Sequence, residues 1–492
     1  MLFHDLDEDV LAQILLLCDI YAVLSFLQVN RSFHRLALSK QLWISLVRDL
    51  SARYLLPHLD ALDDCTTAQL ITKVKTLMCG PETWLPQSSV PPTVSFSKTF
   101  AAGAEARLLP GGRYLAVSSG FGELHCHDVS TGREISLGAA RSNHTTSWEV
   151  DMLDDGYTAN FAFLKKFIGV KRPEISIVQV NLRTGHSDQL FRLELNRDGG
   201  LYYSPVIFGD FLAMKLSKKN QRMFVVINWR QQKYAVFEDS SKSEGSMSRV
   251  AIVPGHIILT TVASKRPNDQ LLLVYALGSM ASCWRPVEEL LYKTDPLTHE
   301  LRIRPENTQP FIVERLKHNN RVFIAASSRI GMTLHPNPIR HNAYKLIVHA
   351  SDFDGSATNT SHGTLLNHSG GSGSPQGTVL FIYMINLDSS TNSGFSWTRT
   401  SAFSTAPDVL YSSFSYAVYA VVSTPNNSDT HGTTTMIIDP VPTQRWTKWA
   451  GQMTREVMVL SKGFTAASTS SISSTGVILI SKLNGIEICW YA

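Results

Sequence analysis

The chain has 492 residues, 43% hydrophobic and 17% charged, with a formal net charge of +4. That is enough apolar material for a substantial core and more than one domain. A charge so weak, with no dense basic block beyond KKNQR at Lys218–Arg222, argues against nucleic acid as a partner. Six cysteines (Cys18, Cys65, Cys79, Cys126, Cys283 and Cys489) are scattered without a CxxC pair. Such spacing predicts reduced thiols in a cytoplasmic or nuclear protein rather than a disulfide framework.

The first apolar stretch, VLAQILLLCDIYAVLSFLQV from Val10 to Val29, is long enough to cross a bilayer. The residues before it include Asp5, Asp7, Glu8 and Asp9, the wrong sign for a signal peptide. Asp19 lies at its centre, where a carboxylate costs about 2.5–3.5 kcal/mol on insertion scales. Two short helices account for the same residues without that cost. Asp5 and Glu8 have capping-box spacing for a first helix, with Val10, Ile14 and Leu17 on one face and Leu11 and Leu15 beside it. Asp19 becomes the N-cap of a second helix presenting Val23, Leu24 and Leu27, and Asn30 caps a third carrying Phe33, Leu36 and Ala37. Trp43, Leu46, Val47 and Leu50 continue at helical spacing. The expectation is therefore a folded helical cluster and no membrane. The sequons at Asn143, Asn359, Asn367 and Asn426 then read as polar loop. A membrane-anchored secretory protein with glycosylated loops is the competing reading.

This run resembles an F-box. The matching residues are Leu6-Asp7-Glu8-Asp9-Val10-Leu11, Ile14, Asp19, Leu24, Leu27, Val29-Asn30-Arg31-Ser32-Phe33 and Leu42-Trp43. Asp7 stands where the family usually has Pro, and Asn30 where it usually has Cys. The resemblance implies docking on the Skp adaptor of a cullin-based SCF ubiquitin ligase. It also implies adaptor contact by Leu6, Val10, Ile14, Leu24, Leu27, Val29, Phe33 and Trp43. Physical logic agrees, because a unit of about fifty residues has too poor a surface-to-volume ratio to bury every Leu. The apolar excess is expected to be an interaction surface.

Further along, TAQLITKVKTLM places Leu70, Ile71, Val74, Leu77 and Met78 on one helical face ending at Gly80-Pro81, and Leu85–Pro92 reads as a stiff linker. From about Val94 onward, short strand-like runs alternate with turns such as Pro110-Gly111-Gly112 and Pro254-Gly255. Strand ends near Asp128, Asn181, Asn228, Ala276, Asn386, Asp439 and Ile488 recur about every fifty residues, the size of a four-stranded propeller blade. Leu108–Ile135 looks like a WD-repeat-type unit. The long interval between Ala276 and Asn386 contains a Gly/Ser/Asn-rich run, read as a flexible insertion at 354–378 within a single repeat. Ring closure is expected from Thr93–Phe100 pairing with the final strands, since an unpaired terminal strand leaves an open edge. The predicted fold is thus a small all-α F-box-like domain (1–50), a helical connector and linker (51–92), and an all-β domain (93–492). The β domain is read as a β-propeller of about seven blades, with a pair of β-sandwiches as the alternative.

Catalytic signals are sparse. His125-Cys126-His127-Asp128 could place two His on one strand face, but two ligands do not make a stable metal site. Asp60, Asp63 and Asp64 read as a solvated helix end, and HSGGSGSP lacks the strand, helix and Lys of a phosphate loop. The expectation is a non-catalytic chain without metal or cofactor. It would be the substrate receptor of an SCF-type ligase, with the Skp adaptor, a cullin through it, and an unidentified client protein as partners. A ligase-independent scaffold is the alternative.

Overall fold

The computed structural model describes residues 6–53, 55–56 and 62–81. Within the β region it describes 93–98, 105–118, 124–136, 145–166, 172–195, 200–218, 221–239, 249–263, 268–292, 302–304, 308–318, 321–323, 328–352, 379–387, 394–404, 412–416, 420–425, 434–438, 456–460, 470–472, 477–482 and 485–490. The Leu85–Pro92 linker, the 354–378 insertion, Asp60 and the four sequon asparagines lie outside these residues.

Five α-helices open the chain: α1 (Glu8–Leu16), α2 (Ile20–Phe26), α3 (Arg31–Ala37), α4 (Lys40–Ala52) and α5 (Thr67–Cys79). Local chemistry sets their ends. The Asp19 carboxylate accepts the Ala22 N–H at 2.8 Å and the Asn30 side chain accepts the Phe33 N–H at 2.8 Å, each satisfying a donor that a helix start leaves unpaired. These caps break Val10–Val29 into two pieces, and among the described residues no helix is long and apolar enough to cross a membrane. At α1 the expected box is corrected. Asp7, not Asp5, holds the N-cap position, without a side-chain cap bond, and Asp5 lies outside the described residues. A true capping box stands at α5 instead, between Thr66 and Gln69. Gly80, at φ +88°, ends α5 where a Cβ would be strained.

The helices share one core. Leu15, Ile20, Val23, Leu27, Leu42, Trp43, Leu46, Val47 and Leu50 pack with Leu70, Val74 and Leu77 of α5. The Trp43 indole N–H donates to the Ala37 carbonyl at 2.9 Å, so the largest side chain of this core is buried with its polar edge satisfied.

The remaining chain forms a succession of mainly antiparallel four-stranded sheets, most of them built from consecutive strands; blade four takes its outer strand from further along the chain, and the closing set joins the first β-strand to the last three. Blade one spans 105–136, blade two 145–194, blade three 201–239, blade four 250–315 and blade five 328–404. Apolar clusters between consecutive blades hold them side by side. Phe161 and Phe163 of blade two meet Tyr114 and Cys126 of blade one. Met223 and Ile227 of blade three meet Ile177 and Phe191 of blade two. Phe237 meets Tyr275, and Phe323 of the blade four–five connection meets Phe381. The third strands of the five blades end at Asp128, Asn181, Asn228, Ala276 and Asn386, which follows the expected period except for the long interval before Asn386.

Five blades, not about seven, are shown with their cores. Strands 412–460, and the set that closes the ring, are described by backbone pairing and are not counted among them; of their side chains, Leu479 and Ile488 are described. In the closing set Thr93–Lys98 pairs antiparallel with Gly485–Trp490, Thr93 opposite Trp490. Leu479 and Ile488 pack on Ala106, Leu108, Leu115 and Val117 of blade one. The long interval after Ala276 also holds a second excursion ahead of blade five. After Ala276 the chain makes a 3-10 helix (Leu277–Cys283), and Arg285–Pro286 and Arg302–Ile303 then pair with the outer strand of blade three before Ile312–Arg315 completes blade four. This excursion straps two blades together.

Blade five contains one very close approach. Gly331 lies opposite His349 on the adjacent strand, and a Cβ at Gly331 would sit 1.8 Å from the imidazole. Burial, with Arg249 adding, pushes the His349 pKa down to about 3. Gly331→Ala is expected to destabilise the propeller by about 1–3 kcal/mol through overpacking, measured as a lower midpoint of urea unfolding.

Candidate docking surface on the N-terminal helices

The eight residues expected to meet an adaptor fall into three groups. Val10 and Val29 are exposed, at 46% and 63%. Leu6, Ile14, Leu24 and Phe33 are half-buried, and Phe33 stacks on Phe26 at 4.2 Å between α3 and α2. Leu27 and Trp43 are buried in the helical core. The side chains of these two pack against other helices. Two exposed residues were missed. Leu17, 86% exposed, and Tyr21 lie at the α1–α2 corner. Leu17 shares the helical face of Val10 and Ile14 and stands next to the Cys18-Asp19 break, where that face stops being covered. Glu8 and Arg35 form an exposed ion pair between α1 and α3, of little energetic weight.

The other side of the helical unit grips the propeller. The turn between the first and second strands of blade five, residues 337–342, inserts Ile339 into the helical core. The Tyr21 N–H donates to the Ile339 carbonyl at 3.0 Å. The Arg53 guanidinium donates to the carbonyls of Asn337 and Pro338 at 2.9 Å and of Arg340 at 3.2 Å, and pairs with Asp49 at 2.9 Å. Burial lowers the Arg53 pKa while Asp49 opposes that shift. His341 lies 3.1 Å from the same Asp49 carboxylate, and Arg340 stacks over the Tyr21 ring at 4.1 Å.

Near this joint Asp151 of blade two accepts the Gly209 N–H at 2.7 Å. Burial pushes its pKa up to about 6; the Gly209 bond opposes that, and Asp154 and Glu149 add to it. A carboxyl raised in the folded state above its unfolded value of about 3.9 favours the folded state less as pH climbs from about 4 to about 6. Asp151→Asn keeps an acceptor for Gly209 and removes the charge. It is expected to gain about 1–2 kcal/mol at pH 7 and nothing at pH 4, read from thermal unfolding across that range.

Candidate chemistry elsewhere is slight. His125 pairs with Glu134 at 3.0 Å, and His127 and Cys126 are buried. Among the described residues no group of three His, Cys, Asp or Glu side chains could hold a metal ion.

The chain thus sets a small helical unit with an apolar edge against a series of β-sheets. The F-box domain model matches residues 3–45, and the chain carries an F-box domain there, followed by an all-β propeller domain. Solved structures that it resembles include the Swd1 β-propeller domain of Myceliophteria thermophila, at 10% identity and TM-score 0.45, covering 82% of this chain and 100% of that one. Another is the WD40 domain of SCAP from fission yeast, at 8% identity and TM-score 0.37, covering 79% and 84%. A third is Raptor from Chaetomium thermophilum, at 8% identity and TM-score 0.44, covering 82% and 29%. No curated protein matches the chain.

Proposed function

We propose that this chain is the non-catalytic substrate receptor of an SCF-type ubiquitin ligase. The F-box docks on a Skp adaptor and through it a cullin, and the propeller presents a client protein. The observation that carries the reading is the apolar edge of an F-box, with Val10, Leu17 and Val29 left in solvent while the opposite side is fastened to blade five. On this reading residues 1–50 form the adaptor module, 51–92 the connector and 93–492 the client-binding domain. The 337–342 turn occupies the end of the ring where first strands turn into second strands. That leaves the opposite end, where the inner strands begin, for the client. The receptor would act by holding client lysines at high effective concentration near a ubiquitin-charged enzyme, in a cytoplasmic or nuclear setting.

The test is co-purification of the full chain with adaptor and cullin, compared with a Val10→Asp, Leu17→Asp double variant. Both positions are exposed, so the helical fold should survive, checked by circular dichroism. Burying two unpaired carboxylates at the interface should lower adaptor recovery by at least about tenfold. Equal recovery by both proteins, or none by the wild type, overturns the reading in favour of a ligase-independent scaffold.

A further inference from the structure

A cleft of about 290 Å³ opens between blades three and four, at the same end of the ring as the 337–342 turn. The F-box reading gives it no role. Its apolar walls are Phe211, at the start of the second strand of blade three, and Trp284, just after the 3-10 helix. The two rings are 5.9 Å apart and inclined by 44°, and Leu277 lies beside them. Three polar side chains complete it: Asn228, Gln231 and Lys233, from the end of the third strand, the following turn and the start of the outer strand.

These polar groups are biased toward donation. Asn228 spends its side-chain oxygen on the Gln231 N–H at 2.9 Å, leaving its amide nitrogen to donate. Lys233 is exposed, no ion pair engages it among the described residues, and no Asp or Glu lines the cleft. An apolar wall beside a cation and an amide donor complements a ligand with a flat or branched apolar body and one anionic acceptor group. The size suits roughly ten non-hydrogen atoms, at the lower end of ligand pockets. We propose that this cleft binds a small amphipathic carboxylate, its apolar body against Phe211 and Trp284 and its carboxylate paired with Lys233. The proposal stands independently of the ligase reading.

The experiment titrates the full chain with hydrocinnamate and its neutral amide, hydrocinnamamide, by isothermal calorimetry and ligand-observed NMR. Hydrocinnamate is expected to bind saturably, and the amide about tenfold more weakly, for loss of one charge-assisted pair. Lys233→Ala should weaken the acid by the same factor and leave the amide unchanged, whereas Lys233→Arg should retain acid binding. Because Lys233 is exposed, these variants should fold, and their unfolding temperatures check it. The proposal is overturned by no saturable binding of hydrocinnamate, by equal affinity for acid and amide, or by an unchanged acid affinity in Lys233→Ala. Tighter binding of a peptide ending in a free phenylalanine carboxylate would reassign the cleft to a chain terminus and overturn it as well.

Discussion

Lys215→Met is expected to destabilise the propeller by about 3–5 kcal/mol, the cost of leaving one buried charge without its partner. Lys215 and Asp239, on the second and outer strands of blade three, are 3.1 Å apart, with side chains 4% and 0% exposed. Methionine preserves the length of the stem and its packing near the rings of Tyr203 and Phe224, so the loss isolates the charge. Burial lowers the Lys215 pKa, Asp239 raises it, and Arg222 and Arg249 push it down again. The carboxylate therefore has other cations in reach, and these set how much of the loss appears. Urea unfolding measures it. The double variant Lys215→Met, Asp239→Leu should recover part of the loss, because the buried carboxylate is removed as well. A single variant that loses less than about 1 kcal/mol would mean that the pair behaves as a solvated surface ion pair.

Arg53→Ala is expected to weaken the joint between F-box and propeller by about 3 kcal/mol. The guanidinium serves three carbonyls and one carboxylate at once, and charge-assisted bonds each contribute about 1.5–3 kcal/mol before solvent replaces them. The measurement is hydrogen exchange at the Tyr21 amide, whose acceptor is Ile339. If exchange there requires opening of the joint, it should accelerate by roughly two orders of magnitude. Arg53→Lys should restore little, since a single ammonium cannot reproduce a planar fork. Unchanged exchange would show that the burial of Ile339 alone holds the helices down.

Much of the architecture was legible from local pattern. Asp19 and Asn30 were readable as caps because an N-cap needs only a short polar side chain and three following residues. Blade period was readable over the first four blades, whose third strands end about fifty residues apart, three of them at Asp or Asn. The insertion of Ile339 among the helices was not readable, because periodicity carries no information about a contact nearly three hundred residues away. Exposure on the helices was half legible for a related reason. Apolar spacing marks a helix face but does not say whether another helix already covers it. Leu27 and Trp43 are covered and Leu17 is not, although all three are equally apolar. The excursion after Ala276 was missed because its strands, Arg285–Pro286 and Arg302–Ile303, are only two residues each, too short to leave an alternating signature.

The pairing of Thr93–Lys98 with Gly485–Trp490 has a consequence for biosynthesis. A ribosome must translate nearly four hundred codons after the first of these strands before its mate exists. Until then the early strand keeps an unsatisfied edge, exposed to whatever nascent chain lies nearby. The F-box waits as well, though for a shorter time, since Ile339 must be made before the helical core is complete. A premature stop even a few codons ahead of Gly485 would therefore leave the ring unlatched from its first strand. Such a chain would be prone to aggregate rather than to persist as a slightly shorter folded protein.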